Sequence, residues 1–302
     1  MADPDRPTSD PAMQEKLARL REILRALSPV VVAFSGGADS ALLAWVARDT
    51  LGRQRARAIT AVSASLAPEE EVECRALADE WDLDWTPVFT NELADPAYSL
   101  NDGQRCYHCK VALMDAAAAF AAPAGAADGD GSGPGAGRAD TVVLGVNVDD
   151  LGEHRPGQQA AAERGARFPL VEAGLSKQEV RSLSRQLGLR TWDKPAAACL
   201  ASRIPYGTPV TLSTLDAVAV AESGLRRIGF RQVRVRHYGD LARVELDPEQ
   251  LHLALERRHE VVLAVQAGGY RYVTLDLEGF RTGNLNQVLD RAGAPVTGGV
   301  RR

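Results

Sequence analysis

At 302 residues the chain has room for one large or two ordinary domains, each with its own core, and a change of pattern late in the sequence favours two. With 45% hydrophobic and 25% charged residues it reads as a globular protein, and a net charge of -5 gives no general pull toward nucleic acid or an anionic membrane. No apolar run approaches a membrane span and the start lacks a signal-peptide pattern, so a cytoplasmic location is expected, with Cys74, Cys106, Cys109 and Cys199 reduced, metal-binding or catalytic rather than paired.

Residues 1–13 are expected to be a disordered, polar, proline-rich tail, followed by a first domain over 14–195. Leu17, Leu20, Ile23, Leu24 and Leu27 recur at helical spacing, and Ser28-Pro29 stops that helix before the apolar strand that starts at Val30. The strand runs into Ser35-Gly36-Gly37-Ala38-Asp39-Ser40 and then a helix through Ala47. A second strand, Arg57–Val62, ends in Ser63-Ala-Ser65; Pro68 and Glu69–Glu71 open the next helix, which closes near Trp81. Asp84–Phe89 and Thr141–Val146 read as third and fourth strands, and the alanine- and glycine-rich stretch 121–139 as a flexible surface insertion with little to bury. Ser176–Leu187 reads as a helix with a Ser176/Glu179 capping box, Leu189–Trp192 as a fifth strand, and Asp193-Lys194-Pro195 as the exit from the domain. Residues 196–302 are expected to form a smaller α+β domain: a helix Ser213–Ile228, strands Gln232–Arg236 and Ala242–Leu246, a helix Pro248–Ala267 and a strand Tyr270–Leu275.

Strands alternating with helices predict an α/β class, with a doubly wound parallel sheet in the first domain. Such sheets take ligands at the carboxyl ends of their strands, where strand order reverses. Ser35–Ser40, Ser63 and Asn147–Asp150 all fall at such ends and are expected to share one crevice.

The loop after the first strand is built to hold an anion. Gly36 and Gly37 permit a tight turn and close approach, while Ser35 and Ser40 add hydroxyls at the positive end of a helix. No Gly-Lys-Ser/Thr closes it, which excludes a Walker loop; it carries Asp39 instead, a hard oxygen ligand suited to Mg²⁺ on a nucleotide triphosphate. The loop resembles that of the ATP pyrophosphatase superfamily, whose members cut ATP between its α and β phosphates, and so implies adenylation of a substrate.

Arg105-Cys106-Tyr-His-Cys109-Lys110 fits, by spacing alone, a redox pair, half a zinc site or part of an iron-sulfur site. A third cysteine, Cys199, follows where the two expected domains meet. Three cysteines can hold three irons of a [4Fe-4S] cluster and leave the fourth open to an extra sulfide.

Taken together, the Ser-Gly-Gly-x-Asp-Ser loop, Arg105-Cys106-Tyr-x-Cys109-Lys110, Asn147-x-Asp149-Asp150-x-Gly152-x-x-Arg155-Pro156-Gly157, Asp193-Lys194-Pro195 with Cys199-Leu-Ala-Ser202-Arg203, Arg234-Val-Arg236-His237 and Tyr272-Val-Thr-Leu-Asp276-Leu-Glu278-Gly-Phe-Arg281 resemble the LarE family over nearly the whole chain. The resemblance implies an ATP-dependent sulfur transferase of nickel-pincer nucleotide synthesis. A carboxylate of pyridinium-3,5-biscarboxylic acid mononucleotide attacks the α phosphate of Mg-ATP, pyrophosphate leaves, and sulfur then displaces AMP to give a thiocarboxylate. One type of family member sacrifices the sulfur of a cysteine matching Cys199; the other carries a [4Fe-4S] cluster on three cysteines, and Cys106, Cys109 and Cys199 occupy all three matching positions. The cluster type is therefore expected, with Cys199 and Asp39 catalytic, the external sulfide donor unidentified and a homo-oligomer implied.

By the same resemblance Ser35, Gly36, Gly37, Asp39, Ser40 and Ser63 bind ATP, and Asp39 binds Mg²⁺ with Asp149 or Asp150 as second ligand, Asp150 being preferred. Arg155, Arg203, Arg234 and Arg236 are expected to grip the phosphate or carboxylates of the nucleotide substrate through forked hydrogen bonds. Cys74 reads as a helix-packing residue, and His154 and His237 as ordinary polar neighbours. A tRNA thiolase is disfavoured by net acidity and 5% aromatic residues, and a non-catalytic nucleotide sensor by Asp39 together with three cysteines.

Overall fold

The computed structural model describes residues 10–122, 140–152, 155–195 and 198–281. In chain order the elements are α1 (Pro11–Leu27), β1 (Val30–Ala33), α2 (Ala38–Leu51), β2 (Ala56–Val62), α3 (Pro68–Glu80), β3 (Asp84–Phe89), α4 (Pro96–Ser99), α5 (Arg105–Ala121), β4 (Thr141–Leu144), α6 (Pro156–Glu163), α7 (Pro169–Glu172) and α8 (Lys177–Gln186). They are followed by α9 (Leu212–Arg227), β5 (Val233–Tyr238), β6 (Leu241–Leu246), α10 (Leu251–Glu256), α11 (Arg258–Gln266) and β7 (Tyr272–Leu275). No helix among the described residues is long and apolar enough to cross a membrane.

These elements form two units, one from residues 10–92 and 106–195, the other from 93–105 and 198–281. The stretch 93–105, read from sequence as part of the first domain, goes with the second: Val210 N–H donates to Ser99 O at 2.9 Å, and the buried amide of Asn101 donates to the carbonyls of Pro205 and Thr208, both at 2.8 Å.

In the first unit four parallel strands lie in the order β3-β2-β1-β4. The apolar run Val30-Val31-Val32 is buried because helices cover both faces of the sheet. Val30 and Val32 pack with Leu20, Leu24, Leu42, Leu43 and Leu183 from α1, α2 and α8, whereas Val31 packs on the other side with Met114 and Ala117 of α5 and Ala161 of α6. Successive strands step outward from β1 to β3, then the chain returns to place β4 on the opposite side of β1, as in a doubly wound fold. The carboxyl end of β1 is thus the switch point of the sheet. Thr60 secures it: its hydroxyl donates to Phe34 O at 2.6 Å and accepts from the Trp85 indole at 2.8 Å.

Three local expectations are corrected. Residues Pro11–Met13, expected in the tail, open α1, with the Asp10 side chain accepting from Ala12 N–H at 3.0 Å and Met13 buried. Leu189–Trp192 is a turn rather than a fifth strand. Its backbone closes local bonds, Trp192 N–H to Leu189 O and Lys194 N–H to Thr191 O, both at 3.2 Å, and the free edge of β4 is taken by Arg167, which exchanges bonds with Val142 and Leu144. The expected helix Pro248–Ala267 breaks at Arg257, whose backbone leaves helical geometry (φ -97°, ψ 26°) as its guanidinium donates to the Ile228 carbonyl. The tail 1–9 and residues 123–139 of the expected insertion lie outside the described residues, although Ala121 ends α5 as a buried residue.

In the second unit β5 and β6 form an antiparallel hairpin through Gly239, and β7 joins β6 in parallel. Leu225 of α9 and Val261 and Val265 of α11 close a core over Val233, Val235, Val244 and Leu246.

Candidate active site

The loop between β1 and α2 has the geometry of an anion cradle. Gly36 sits at φ +68°, a conformation costly for any residue with a Cβ, and Gly37 is the N-cap of α2 with no side chain to occupy the first amides of that helix. Ser40 Oγ shapes the turn from inside: it accepts from Ser35 N–H at 3.2 Å, lies 3.0 Å from Ser35 Oγ and donates to Gly37 O at 3.1 Å. The Ser35 side is exposed, so the cradle opens outward while Ser40 is buried. Ser63, at the end of the neighbouring β2, accepts from Ser65 N–H at 3.2 Å.

Asp39 lies in the first turn of α2, half-buried, and Asn147 Nδ2 donates to its Oδ1 at 3.0 Å. Asn147 belongs to the turn after β4; its N–H donates to Asp150 Oδ2 at 3.2 Å, and its Oδ1 accepts from Asp149 N–H at 3.0 Å. The structure therefore brings together the loop and 147–150 as the sequence suggested. Burial first, and then the negative charge of Asp150, push the Asp39 carboxyl above its ordinary range, against the Asn147 hydrogen bond and the positive charges of Lys177 and Arg181. Two carboxylates that repel one another at a desolvated strand end are a hard-oxygen pair whose charge a divalent cation would relieve. Arg155 pairs with Asp150 at 2.9 Å, and Asp149 instead caps α8, accepting from Lys177 N–H at 2.7 Å.

Gly145 was missed by sequence reasoning. A Cβ there would lie 2.6 Å from Ser40 N and 2.8 Å from the Asp39 carbonyl carbon, so the end of β4 touches the start of α2 backbone to backbone. A glycine at the end of a buried strand beside the switch point was the available signal. Cys74 is fully buried beneath the loop; burial pushes its thiol up to about 11, with Thr60 hydrogen-bonded to it, which fits the packing role expected of it.

Cys106 and Cys109 lie one turn apart in the first turns of α5, with Cys106 exposed, Cys109 half-buried and the Cys109 thiol 3.8 Å from Glu92 Oε1. Spacing of three residues places both on one side of the helix. Cys199 is the N-cap of a short turn of 3₁₀ helix, Leu200–Arg203, in the second unit. None of the four cysteines is in a disulfide, and among the described residues no group of three or more His, Cys, Asp or Glu side chains converges on one point.

The segment carrying Cys199 is held by Arg203. Its guanidinium, 2% exposed, donates to the carbonyls of Ala198 and Cys199 at 2.5 and 2.9 Å, and clasps Glu222 with Nε and Nη2 at 2.8 and 3.0 Å. Sequence reasoning placed Arg203 on the substrate; the structure engages it with this backbone and with Glu222. Glu222, also missed, sits wholly buried on α9 among Leu215, Val218, Ala221 and Leu225, and a lone carboxylate on an apolar helix face was its signal.

Around it stand Arg226, Arg234, Arg236 and Arg243, balanced within the unit by Glu222, Glu245 and Asp276. Arg236 bonds Ser202 O at 2.9 Å and Glu245 at 2.8 Å; Arg234 stacks its guanidinium over Phe280 at 5.1 Å. Burial first, and then the positive charge of Arg203, bring Arg234 down to about 10. Of the buried members, three arginines, Arg203, Arg234 and Arg236, face two carboxylates, Glu222 and Glu245, a balance that suits an anionic group. His237 meets the Tyr270 hydroxyl at 3.1 Å, and burial lowers its pKa. His154 lies outside the described residues.

Fold and loop together define an α/β protein with an outward-opening glycine loop and a half-buried carboxylate at the switch point of its sheet. No family model matches the chain. It is 46% identical over 281 residues to an uncharacterized protein of Synechocystis, covering 92% of this chain and all of the relative. It is 37% identical over 277 residues to pyridinium-3,5-bisthiocarboxylic acid mononucleotide synthase of Lactiplantibacillus plantarum, covering 92% of this chain and 96% of that enzyme. A shorter match, 27% over 143 residues, is to an uncharacterized protein of Methanocaldococcus jannaschii. At that identity and coverage the chain belongs to the LarE family, the family of the Lactiplantibacillus synthase.

Proposed function

We propose that this chain is an ATP-dependent sulfur transferase of the ATP pyrophosphatase superfamily that converts the carboxylates of pyridinium-3,5-biscarboxylic acid mononucleotide to thiocarboxylates. The observation that carries the reading is the pairing of the glycine loop with Asp39 and Asp150 at the switch point, in a chain matched nearly end to end by a synthase of that product. A carboxylate oxygen of the substrate bonds to the α phosphorus of ATP, the bond to the bridging oxygen breaks and pyrophosphate leaves. Sulfur then adds to the acyl carbon and AMP departs. Adenylation is required because a free carboxylate is a poor electrophile. Loop amides and the exposed Ser35 hydroxyl would bind the phosphates, with buried Ser40 shaping the loop behind them, and Asp39 with Asp150 would hold a Mg²⁺ that neutralises them. Arg234 and Arg236 supply positive charge for the phosphate of the substrate, with Arg203 positioning the Cys199 segment.

The sulfur donor of this reading is a [4Fe-4S] cluster on Cys106, Cys109 and Cys199, which when bound supplies cluster-held sulfide. Two thiols, Cys106 and Cys109, on one side of α5 and outside any disulfide fit that chemistry. The test is iron and acid-labile sulfide content of protein purified without oxygen, together with mass spectrometry of the product formed from the biscarboxylate nucleotide and Mg-ATP. About four irons per chain, lost in Cys106→Ala, with thiocarboxylate formed over repeated turnovers, is the expected result. Iron-free protein that makes one thiocarboxylate and loses sulfur from Cys199 would overturn the cluster, and no thiocarboxylate from either form would overturn the function.

A further inference from the structure

We propose that Lys194 is the cation that holds the β and γ phosphates of the nucleotide in this loop, the part a lysine within the loop plays in phosphate loops that carry one. The inference rests on the reading of the loop as a nucleotide triphosphate site. Between Ser35 and Ser40 the loop contains no basic residue; its one charged side chain is Asp39. Lys194 comes to it from far along the chain: its ammonium lies 3.6 Å from the point where a Cβ on Gly36 would sit. That nitrogen is held by Glu70, in the first turn of α3, at 2.7 Å, with the lysine side chain 17% exposed.

The backbone behind Lys194 is fixed so that the side chain is aimed. Arg181 of α8 donates to Trp192 O at 3.2 Å and to Lys194 O at 3.0 Å, and Lys194 N–H closes the turn onto Thr191 O at 3.2 Å. Arg181 and Lys177 also lower the Asp39 pKa electrostatically, so positive charge from α8 already acts on a loop whose own charge is negative. A lysine stem is long and flexible, and a change of rotamer carries its ammonium from a carboxylate to a phosphate at the same loop. Glu70 thus holds Lys194 in place before the nucleotide arrives. During adenylation the electron pair of the broken α–β bridge moves onto pyrophosphate, and an ammonium already beside the β phosphate is electrostatic help placed where charge develops.

A purely structural reading of the same contact is that the Lys194–Glu70 pair ties α3 to the 191–194 turn. The two separate cleanly, because Glu70→Gln cuts the tie and leaves the ammonium, whereas Lys194→Met removes both. Calorimetric titration of wild type, Lys194→Met, Lys194→Arg and Glu70→Gln with Mg-pyrophosphate, Mg-ATP and AMP is the test. Lys194→Met is expected to weaken pyrophosphate and ATP by about 10- to 100-fold, the scale of one charged hydrogen bond, while AMP stays within about twofold. Lys194→Arg should recover most of the loss, and Glu70→Gln should bind pyrophosphate as tightly as wild type or more so. Pyrophosphate binding unchanged in Lys194→Met, or a Glu70→Gln variant as weak as Lys194→Met, would overturn the proposal. Wild type that binds neither Mg-ATP nor pyrophosphate would instead remove the nucleotide reading of the loop on which it rests.

Discussion

Removing the Glu222 carboxylate should destabilise the second unit far more than its single position suggests. Glu222 is wholly buried and accepts from Arg203 twice, from Arg226 at 2.8 Å and from Val235 N–H at 3.0 Å. In Glu222→Ala the Arg203 guanidinium keeps its burial and loses its counter-charge, and breaking a buried pair from one side costs about 3–5 kcal/mol. Replacing both partners, as in Glu222→Leu with Arg203→Met, removes the stranded charge and should recover part of that loss. Burial pushes the Glu222 carboxyl up, but the charge and hydrogen bonds of Arg203, with Val235 and Arg226, hold it net below the ordinary carboxylate range. A depressed folded value means the stabilisation is present above the unfolded value, about 4.3, and is lost as pH falls through the folded one. Urea titration at neutral and acidic pH, with hydrogen exchange of residues 198–204, reads both effects. Exchange should rise in that segment because Arg203 also holds the Ala198 and Cys199 carbonyls. A neutral-pH loss under about 1 kcal/mol in Glu222→Ala would refute the reasoning.

Gly145→Ala drives a Cβ into the backbone of Ser40 and should cost about 1–3 kcal/mol by thermal melting, with nucleotide affinity reduced as α2 shifts; an unchanged melt would contradict the packing. Asp39→Asn should separate stability from activity. Because the folded pKa of Asp39 is raised, its contribution to stability falls as pH rises from the unfolded toward the folded value, so at neutral pH without metal the variant should melt above wild type while pyrophosphate release is lost. Equal melting temperatures would mean that the carboxylate is not desolvated in the way described. Iodoacetamide at about pH 8 should label exposed Cys106 in the native protein and spare Cys74, whose thiol lies well above that pH; peptide mass spectrometry showing Cys74 labelled first would refute its burial.

What was legible in the sequence was local or periodic. The β1–loop–α2 run, the four strands of the parallel sheet and the Ser176/Glu179 capping box each announce themselves within a few residues, and the structure shows the reciprocal capping bonds. Leu189–Trp192 looked like a strand because Leu, Thr and Trp suit one, but strand identity needs an edge to pair with, and Arg167 occupies that of β4. Lys194 and Gly145 owe their significance to chain segments far away, one to Glu70 and Gly36, the other to Ser40, and no local pattern encodes such distances. Arg203 was recognised as special but assigned outward, because a sequence does not reveal that a buried Glu222 awaits it.

The most direct measurement is of how ATP is cut. Anaerobically purified protein is incubated with Mg-ATP labelled at the α phosphate and the biscarboxylate nucleotide, and labelled products are resolved alongside the thiocarboxylate. Labelled AMP, with unlabelled pyrophosphate measured by a separate assay, both formed in step with each thiocarboxylate and lost in Asp39→Asn, is expected. Labelled ADP with inorganic phosphate would contradict adenylation at the loop.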